Sequence, residues 1–222
     1  MMPQRYLDKE RTIVDRVQGT RVLHLGCIGA TESDFSARTT ALTNSLHAAL
    51  DSVARVTGVD HARDVIAFCH DQRLFRDVRH GDIGELKNVL AADETFDYII
   101  AADVIEHLSN PGQFLAQLPP YLAPGGALII TTPNAFGVLN QLRYGFGRFR
   151  ESRDHVTVFN IWGLENLLAR FGYHIEDVAT CYQPHARTFG FGFLVGRFIF
   201  RFAPRFGGTL LVVCRHGQAA GS

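Results

Sequence analysis

Short apolar runs alternate with longer stretches of mixed polarity along most of this chain. Five runs predict buried strands: RVLHL, ARVTGVD, DVRHGDI, FDYIIAAD and GALIITTPN. Apolar positions recur at helical spacing in four further segments, 33–53, 62–74, 110–122 and 160–171. Alternating strands and helices are typical of βαβ units, which build a parallel sheet. The pattern therefore predicts an α/β fold, closed by an apolar strand at 209–214.

The N-terminal stretch carries a weaker signal. Tyr6, Ile13, Val14 and Val17 are spaced as on one face of an amphipathic helix, and Gly19 is placed to end it. We expect this helix to pack against the domain.

Two glycines follow the first predicted strand directly. Gly26 and Gly29 stand where a parallel sheet brings its loops close to a nucleotide-like ligand, and glycine lets the backbone approach such a ligand. Asp60 ends the second strand, where a carboxylate can accept hydrogen bonds from both hydroxyls of a ribose. Strand tips in such sheets line one crevice, so we expect Asp82 and Asp103 to converge there as well.

Several motifs in sequence order resemble one enzyme family. VLHLGC, GVD, GDI, FDYIIAADVIEHL, LAPGGALIITTPN and DHVTVFN with LLARFGY cover 21–173. Together they resemble class I S-adenosylmethionine-dependent methyltransferases of the type 11/12/23 group. The pattern is also similar to uncharacterised methyltransferases found beside bacterial polysaccharide genes. The resemblance implies a Rossmann-like fold with helices on both faces of a seven-stranded, mostly parallel sheet, whose last strand is antiparallel.

The resemblance also implies a cofactor and its site. S-adenosyl-L-methionine would bind and S-adenosyl-L-homocysteine would leave. The implied cofactor-binding residues are Gly26, Cys27, Gly29, Asp60, Asp82, Ile83, Ala102 and Asp103.

Three positions depart from the family pattern. His24 stands where an acid is usual, and Ile28 and Ala30 replace common glycines. These departures leave open a non-catalytic pseudo-methyltransferase that acts as a scaffold. A nicotinamide-dependent dehydrogenase is disfavoured, because the loop does not supply G-x-G-x-x-G.

Candidate catalytic residues lie after the fourth predicted strand and in the later DHV motif. We expect O-methylation of a small-molecule, sugar or glycan acceptor, because His155 or His107 could serve as general base beside Glu106. N-methylation of an amino sugar or natural product stays an alternative acceptor chemistry. A quinone-like phenol is a further candidate acceptor.

The same residues resemble a known metal centre. Asp103, Glu106 and His107 form D-x-x-E-H, with His155 downstream. This is similar to the metal centre of small-RNA 2′-O-methyltransferases and to the E-x-x-E-H of ubiquinone-pathway O-methyltransferases. Our prediction is that no metal is required. A divalent ion held by these four residues is the alternative.

Composition narrows the class further. The chain has 222 residues, with 22 basic and 22 acidic side chains, so it lacks the basic footprint of a nucleic-acid binder. Its four cysteines form no C-x-x-C, which suits a reducing cytoplasm. No secretory signal or transmembrane stretch is evident. We expect a single cytoplasmic methyltransferase domain over 1–222.

Two segments interrupt the βαβ rhythm. The first, 135–153, contains four arginines and lies where the family places part of its acceptor-binding lid. It is either an anion-accepting cap or a solvated loop. The second, 186–206, contains seven Phe, four Arg and no acid. It is either an interfacial helix in peripheral membrane contact or an insertion packed on the domain or on a second subunit of a homodimer.

Overall fold

A computed structural model describes residues 1–29, 35–147, 152, 154–182 and 200–217. The helices are α1 Lys9–Arg16, α2 Phe35–Thr43, α3 Leu46–Val53, α4 Arg63–Asp71, α5 Pro111–Gln117, α6 Val138–Gly145 and α7 Ile161–Arg170. The strands are β1 Tyr6–Asp8, β2 Arg21–Leu25, β3 Arg55–Asp60, β4 Val78–His80, β5 Phe96–Ala102, β6 Leu122–Pro133, β7 Tyr173–Tyr182 and β8 Thr209–His216. Short 3₁₀ helices span Leu86–Asn88, Ile105–His107, Pro119–Tyr121 and Pro204–Phe206.

The eight strands form a sheet in the order β1-β7-β8-β6-β5-β2-β3-β4. The five strands predicted from apolar runs are all present, and β8 lies between β6 and β7, antiparallel to β7. Eight strands lie in the described part of the chain, so the expected count of seven was wrong. Tyr6 was predicted to lie on the N-terminal helix, but it begins β1, which pairs with β7 in parallel at the edge of the sheet.

One predicted helix is divided in two. The apolar spacing over 33–53 predicts a single helix, but α2 ends at Thr43 and α3 begins at Leu46. Ser45 lies between them with extended backbone, and its side chain accepts a hydrogen bond from the Ala48 N–H at 3.2 Å. Serine in this position caps the first turn of a new helix, so the local hydrogen bond outweighs the continuing apolar period.

The chain divides into two compact units. The β2–β4 unit comprises Ile13–Ala101 and Gln113–Leu128, and the β7–β8 unit comprises Met1–Thr12, Ala102–Gly112 and Ile129–Ser222. The expectation of one domain over 1–222 stays a prediction.

In the β2–β4 unit, β2 pairs in parallel with both β3 and β5, and β3 pairs in parallel with β4. Leu25 stands opposite Val59, and Asp60 stands opposite His80. The last residues of β2, β3 and β4 are therefore neighbours, and the loops that follow them begin side by side.

In the β7–β8 unit, antiparallel pairing joins β7 to β8, with one bulge between Ile175 and Asp177. The middle of β8 is almost fully buried from Leu210 to Cys214. This burial explains the continuous apolar run in the sequence, since a strand covered on both faces has no polar side to present.

Candidate cofactor and active site

The loop after β2 is held to the end of β3 by backbone hydrogen bonds. Gly26 and Gly29 have φ values of 65° and 66°, in the left-handed region that favours glycine. The Gly26 N–H donates to the Val59 carbonyl at 2.9 Å. The two glycines chosen from the sequence thus occupy turn positions of the expected kind.

Asp60 holds the same loop through its side chain. Its Oδ2 accepts the Ile28 N–H at 2.9 Å, and its Oδ1 accepts the Ala62 N–H at 3.0 Å. The side chain is buried. A carboxylate can accept about four hydrogen bonds, so acceptor sites are left for a ligand. Ribose binding by Asp60 stays a prediction, and the structure adds that Asp60 shapes the loop.

Asp82 and Ile83 follow β4 next to Asp60. The Gly81 N–H donates to the Asp60 carbonyl at 2.8 Å, which places this turn beside the end of β3. The exposed Asp82 accepts the Gly84 N–H at 2.7 Å, and the Ile83 carbonyl accepts from Gln117 Nε2 at 2.9 Å. The turn is therefore fixed by hydrogen bonds to the end of β3 and to Gln117.

Cys27 is a buried packing residue. Burial raises the pKa of its thiol far above the usual range, with the Asp60 charge adding to the effect. A thiol that stays protonated is a poor nucleophile. At the predicted cofactor site, the Cys27 side chain therefore contributes by packing and not by reacting as a nucleophile.

In the β7–β8 unit, Asp103 directly follows β5 in an unusual backbone conformation. Its φ is 54°, which is uncommon for a residue other than glycine. The Thr131 hydroxyl donates to Asp103 Oδ1 at 2.9 Å, and the Asp103 N–H donates to the Thr131 carbonyl at 2.9 Å. Lys9 Nζ donates to Asp103 Oδ2 at 2.5 Å. Ala102, the other predicted contact, is the half-buried last residue of β5.

Lys9 is a site residue that was not predicted from the sequence. Only 5% of this residue is exposed, which is rare for lysine unless it is paired. A signal was present, because Lys9 precedes Ile13 and Val17 by four and eight positions and so lies on the apolar face of the predicted helix.

The predicted catalytic residues Glu106, His107 and His155 come together in the β7–β8 unit. One ligand-type atom from each lies within 4.8 Å of the others. The two imidazole rings meet edge to face, with centroids 4.7 Å apart. The Glu106 carbonyl accepts the N–H groups of Val156 and Thr157 at 2.8 and 3.1 Å, which fixes the DHV segment against the 3₁₀ helix.

Hydrogen bonds define the state of two members of this cluster. His107 Nδ1 lies 3.0 Å from the Asp154 carbonyl, which can only accept, so Nδ1 carries the proton. In the neutral ring, Nε2 then has the free lone pair. Glu106 is 1% exposed, and its Oε2 accepts the Thr132 hydroxyl at 2.9 Å. Burial raises the pKa of Glu106 above its usual range, against the opposing effects of Thr132 and His107.

The fourth candidate metal ligand does not join this cluster. Asp103 is engaged by Lys9 and Thr131, and within the part of the chain that the structure describes only Glu106, His107 and His155 form a possible metal-binding group. Glu106 Oε1 is buried without a hydrogen-bond partner among the described atoms. One carboxylate and two imidazoles could suit a divalent transition metal. The prediction that no metal is required remains a prediction.

A cavity of about 220 Å³ opens in the same unit after β6. Its lining surface is mainly apolar, and Val158 lies on the side of the DHV segment. The polar members of the lining are Asn134, Asn140, Gln141 and Tyr144. Val158 is three residues from His155, or about 10 Å along an extended chain.

The two predicted insertions are described only in part. Within 135–153, helix α6 occupies Val138–Gly145, and the side chains of all four arginines lie outside the described part. Within 186–206, only residues from Phe200 onward are described. Phe200 is buried and packs on Tyr6, with ring centroids 5.2 Å apart, whereas Phe202 is 73% exposed. Membrane contact and dimerisation through this segment stay predictions.

Comparisons with known proteins place the chain in a family. The sequence profile of a family described as "Methyltransferase domain" matches residues 11–178. A probable S-adenosylmethionine-dependent methyltransferase of Mycolicibacterium smegmatis is 28% identical over 166 residues, covering 74% of this chain and 56% of the relative. A ubiquinone biosynthesis O-methyltransferase of Maricaulis maris is 34% identical over 122 residues, covering 53% of this chain and 42% of the relative.

Solved structures agree on the fold. Magnesium protoporphyrin IX methyltransferase from Synechocystis PCC 6803 superposes with a TM-score of 0.58 at 14% identity, covering 93% of this chain and 81% of that one. The Rossmann-like class I fold is therefore confirmed. The chain belongs to the methyltransferase domain family.

The chain spans about half the length of the curated relatives it matches. In the ranges that the structure describes, no helix combines the length and apolar character that crossing a membrane requires.

Proposed function

We propose that the protein transfers the methyl group of S-adenosyl-L-methionine to a hydroxyl oxygen of a small-molecule, sugar or glycan acceptor. His107 or His155 acts as the general base. The observation that supports this most strongly is the cluster of Glu106, His107 and His155 around one point.

The chemistry explains why such a cluster favours an oxygen acceptor. The sulfonium methyl is already activated, so transfer needs an aligned acceptor and little else. As the new O–C bond forms and the C–S bond breaks, a hydroxyl must lose its proton. His107 Nε2 is free to take that proton, because Nδ1–H is committed to the Asp154 carbonyl. A neutral amine attacks through its lone pair before it loses a proton, so it needs the base less.

Glu106 completes the arrangement. A buried carboxylate next to an imidazole stabilises the imidazolium that forms when the proton arrives. The names of several relatives, ubiquinone biosynthesis O-methyltransferases, agree with an oxygen acceptor. The cavity after β6 suits a compact acceptor of about one ring, since its volume is about 220 Å³ and its mainly apolar lining carries three amides and a phenol.

Lys9 and Asp103 support the cofactor side of the proposal. The Lys9 ammonium group has three N–H donors, and one of them donates to Asp103. The Lys9 side chain is only 6% exposed and holds Asp103 in place, whereas the Asp103 side chain is 36% exposed and is accessible to a cationic amino group such as that of the cofactor's methionine end.

Metal assistance is a second candidate mechanism, favoured by the unpartnered buried Oε1 of Glu106. Glu106, His107 and His155 would hold the ion, and a bound divalent ion would lower the pKa of an acceptor hydroxyl.

The test is methyl transfer from labelled S-adenosyl-L-methionine to matched hydroxyl and amine acceptors: catechols, hexoses and amino sugars. We expect transfer to a hydroxyl, reduced about 10²–10⁴-fold in His107→Ala or His155→Ala with unchanged S-adenosyl-L-homocysteine affinity. His174→Ala, in the same unit, is the control. Transfer to amines alone, or full activity in both variants, would overturn the proposal. Loss of activity in EDTA, restored by one divalent metal, would favour the metal mechanism.

A further inference from the structure

Two buried histidines contact each other close to the loop Gly26–Gly29, which we call the cofactor loop. His24 is the fourth residue of β2, and His47 lies in the first turn of α3. They are 3% and 1% exposed, and their Nδ1 atoms are 3.2 Å apart. One Nδ1 must donate and the other must accept, so the bond requires an unprotonated Nδ1 on one ring.

The His47 ring and the Cys27 thiol of the loop border the same space above Gly58 of β3. A Cβ built on Gly58 of β3 would lie 2.7 Å from His47 Cε1 and 2.8 Å from Cys27 Sγ. The imidazole and the thiol therefore share the space above Gly58, which only a glycine leaves open. On its other side the His47 ring meets Phe75 edge to face, with centroids 4.6 Å apart.

The loop is thus held from two directions within one compact unit. Asp60 and Val59 bind the N–H groups of Ile28 and Gly26 from the end of β3. The His47 ring hydrogen-bonds to His24, two residues before Gly26, and borders the same space above Gly58 as the Cys27 thiol. The His47 ring therefore adjoins the loop at two points.

We propose that His47 is a positioning residue for the cofactor loop, acting through His24 and Cys27 to set the affinity for S-adenosyl-L-methionine. It does so without touching the cofactor. This proposal rests on the assignment of Gly26–Gly29 as a cofactor-binding loop.

The electrostatic surroundings agree with this geometry. Burial lowers the pKa of His47 to about 4, although the charges of Asp51 on the same helix and Asp77 before β4 oppose the shift. His47 is therefore neutral near pH 7, as the hydrogen bond with His24 requires. Family resemblance implies an acid at position 24, and a carboxylate there would favour the imidazolium form of His47 instead.

The experiment is calorimetric titration with S-adenosyl-L-homocysteine at pH 7.5 on variants verified as folded by circular dichroism. We expect His47→Leu to weaken binding about tenfold, and His47→Asn, which keeps a polar group near Nδ1, to weaken it less. At saturating acceptor, KM for S-adenosyl-L-methionine should rise with kcat little changed. His174→Leu, a half-buried histidine bonded to the Gly217 carbonyl, should bind as wild type.

Two further readouts keep the proposal testable if His47→Leu does not fold. In wild type, S-adenosyl-L-homocysteine affinity should fall as the pH drops from 6.5 to 4, and less so in His47→Asn. By NMR, His24→Asp should raise the His47 pKa above its wild-type value. Unchanged affinity in a folded His47→Leu variant, or identical pH profiles for wild type and His47→Asn, would overturn the proposal. A wild-type protein that binds no S-adenosyl-L-homocysteine would instead refute the proposed function.

Discussion

Replacing Gly58 by alanine should destabilise the protein through contacts that the structure specifies. The new Cβ would approach His47 Cε1 to 2.7 Å and Cys27 Sγ to 2.8 Å, whereas carbon contacts are comfortable at about 3.5–4.0 Å. The His47 ring cannot retreat freely, because it lies between His24 and Phe75. Overpacking of this kind costs about 1–3 kcal/mol.

A smaller effect opposes this cost. Alanine restricts the unfolded chain more than glycine does, which returns about 0.4–1 kcal/mol. The net destabilisation should be about 1–2 kcal/mol, equivalent to a Tm lower by about 2–8 °C for a protein of this size.

Thermal and urea unfolding of matched variants would test this reasoning. Gly163→Ala is the control, because its nearest neighbour would be Asn160 Oδ1 at 3.7 Å and the position is helical. It should gain about 0.5–1 kcal/mol. Adding Cys27→Ala to Gly58→Ala removes one of the two contacts, so the double variant should lose less than the sum of the single variants. A Gly58→Ala protein as stable as wild type would refute the packing argument.

Three other predictions concern charge. First, the pKa of His47 is about 4 in the folded protein, against 6.5 for an ordinary histidine. Between these two pH values only the unfolded chain binds the proton, so the free energy of unfolding should fall by about 3 kcal/mol as the pH drops from 6.5 toward 4. Urea unfolding at several pH values should show a flatter curve in His47→Asn, and parallel curves would contradict this. Second, burial raises the pKa of Glu106, so the ionised side chain lowers the stability of the folded protein at pH 7. The Glu106→Gln variant should therefore melt at the same or a higher temperature than wild type, while its rate of methyl transfer falls. A lower melting temperature would contradict this prediction. Third, Lys9→Met should destabilise the protein by about 1–3 kcal/mol. This is less than the loss expected for a fully buried ion pair, because the Asp103 side chain is 36% exposed. A double-mutant cycle with Asp103→Asn should show coupling, and strict additivity would refute the pairing.

Features that depend on local pattern could be predicted from the sequence. The apolar runs predict β2, β3, β5 and β6, because a strand buried on both faces needs a largely apolar sequence. The positions of the glycines after β2, of Asp60 at the end of β3 and of Asp82 after β4 could be predicted because loops at the ends of parallel strands lie at one edge of the sheet. Glu106 and His107 adjoin each other in the chain, and the DHV motif supplied His155.

Features that depend on tertiary contacts could not be predicted in this way. His24 and His47 lie 23 positions apart on a strand and a helix, and nothing in their local sequence shows that they pair. The break at Ser45 interrupts an apolar period that itself continues. Asp103 was grouped with the metal candidates on spacing alone, whereas its engagement depends on Lys9, 94 positions away.

Binding of S-adenosyl-L-methionine at the loop after β2 is best tested by calorimetric titration with S-adenosyl-L-homocysteine. We expect a Kd of about 1–10 μM for wild type. Binding should be at least about tenfold weaker in Asp60→Ala, which loses the acceptors of the Ile28 and Ala62 N–H groups. A well-folded wild-type protein with no detectable binding, or an Asp60→Ala variant that binds equally well, would show that the loop is not a cofactor site.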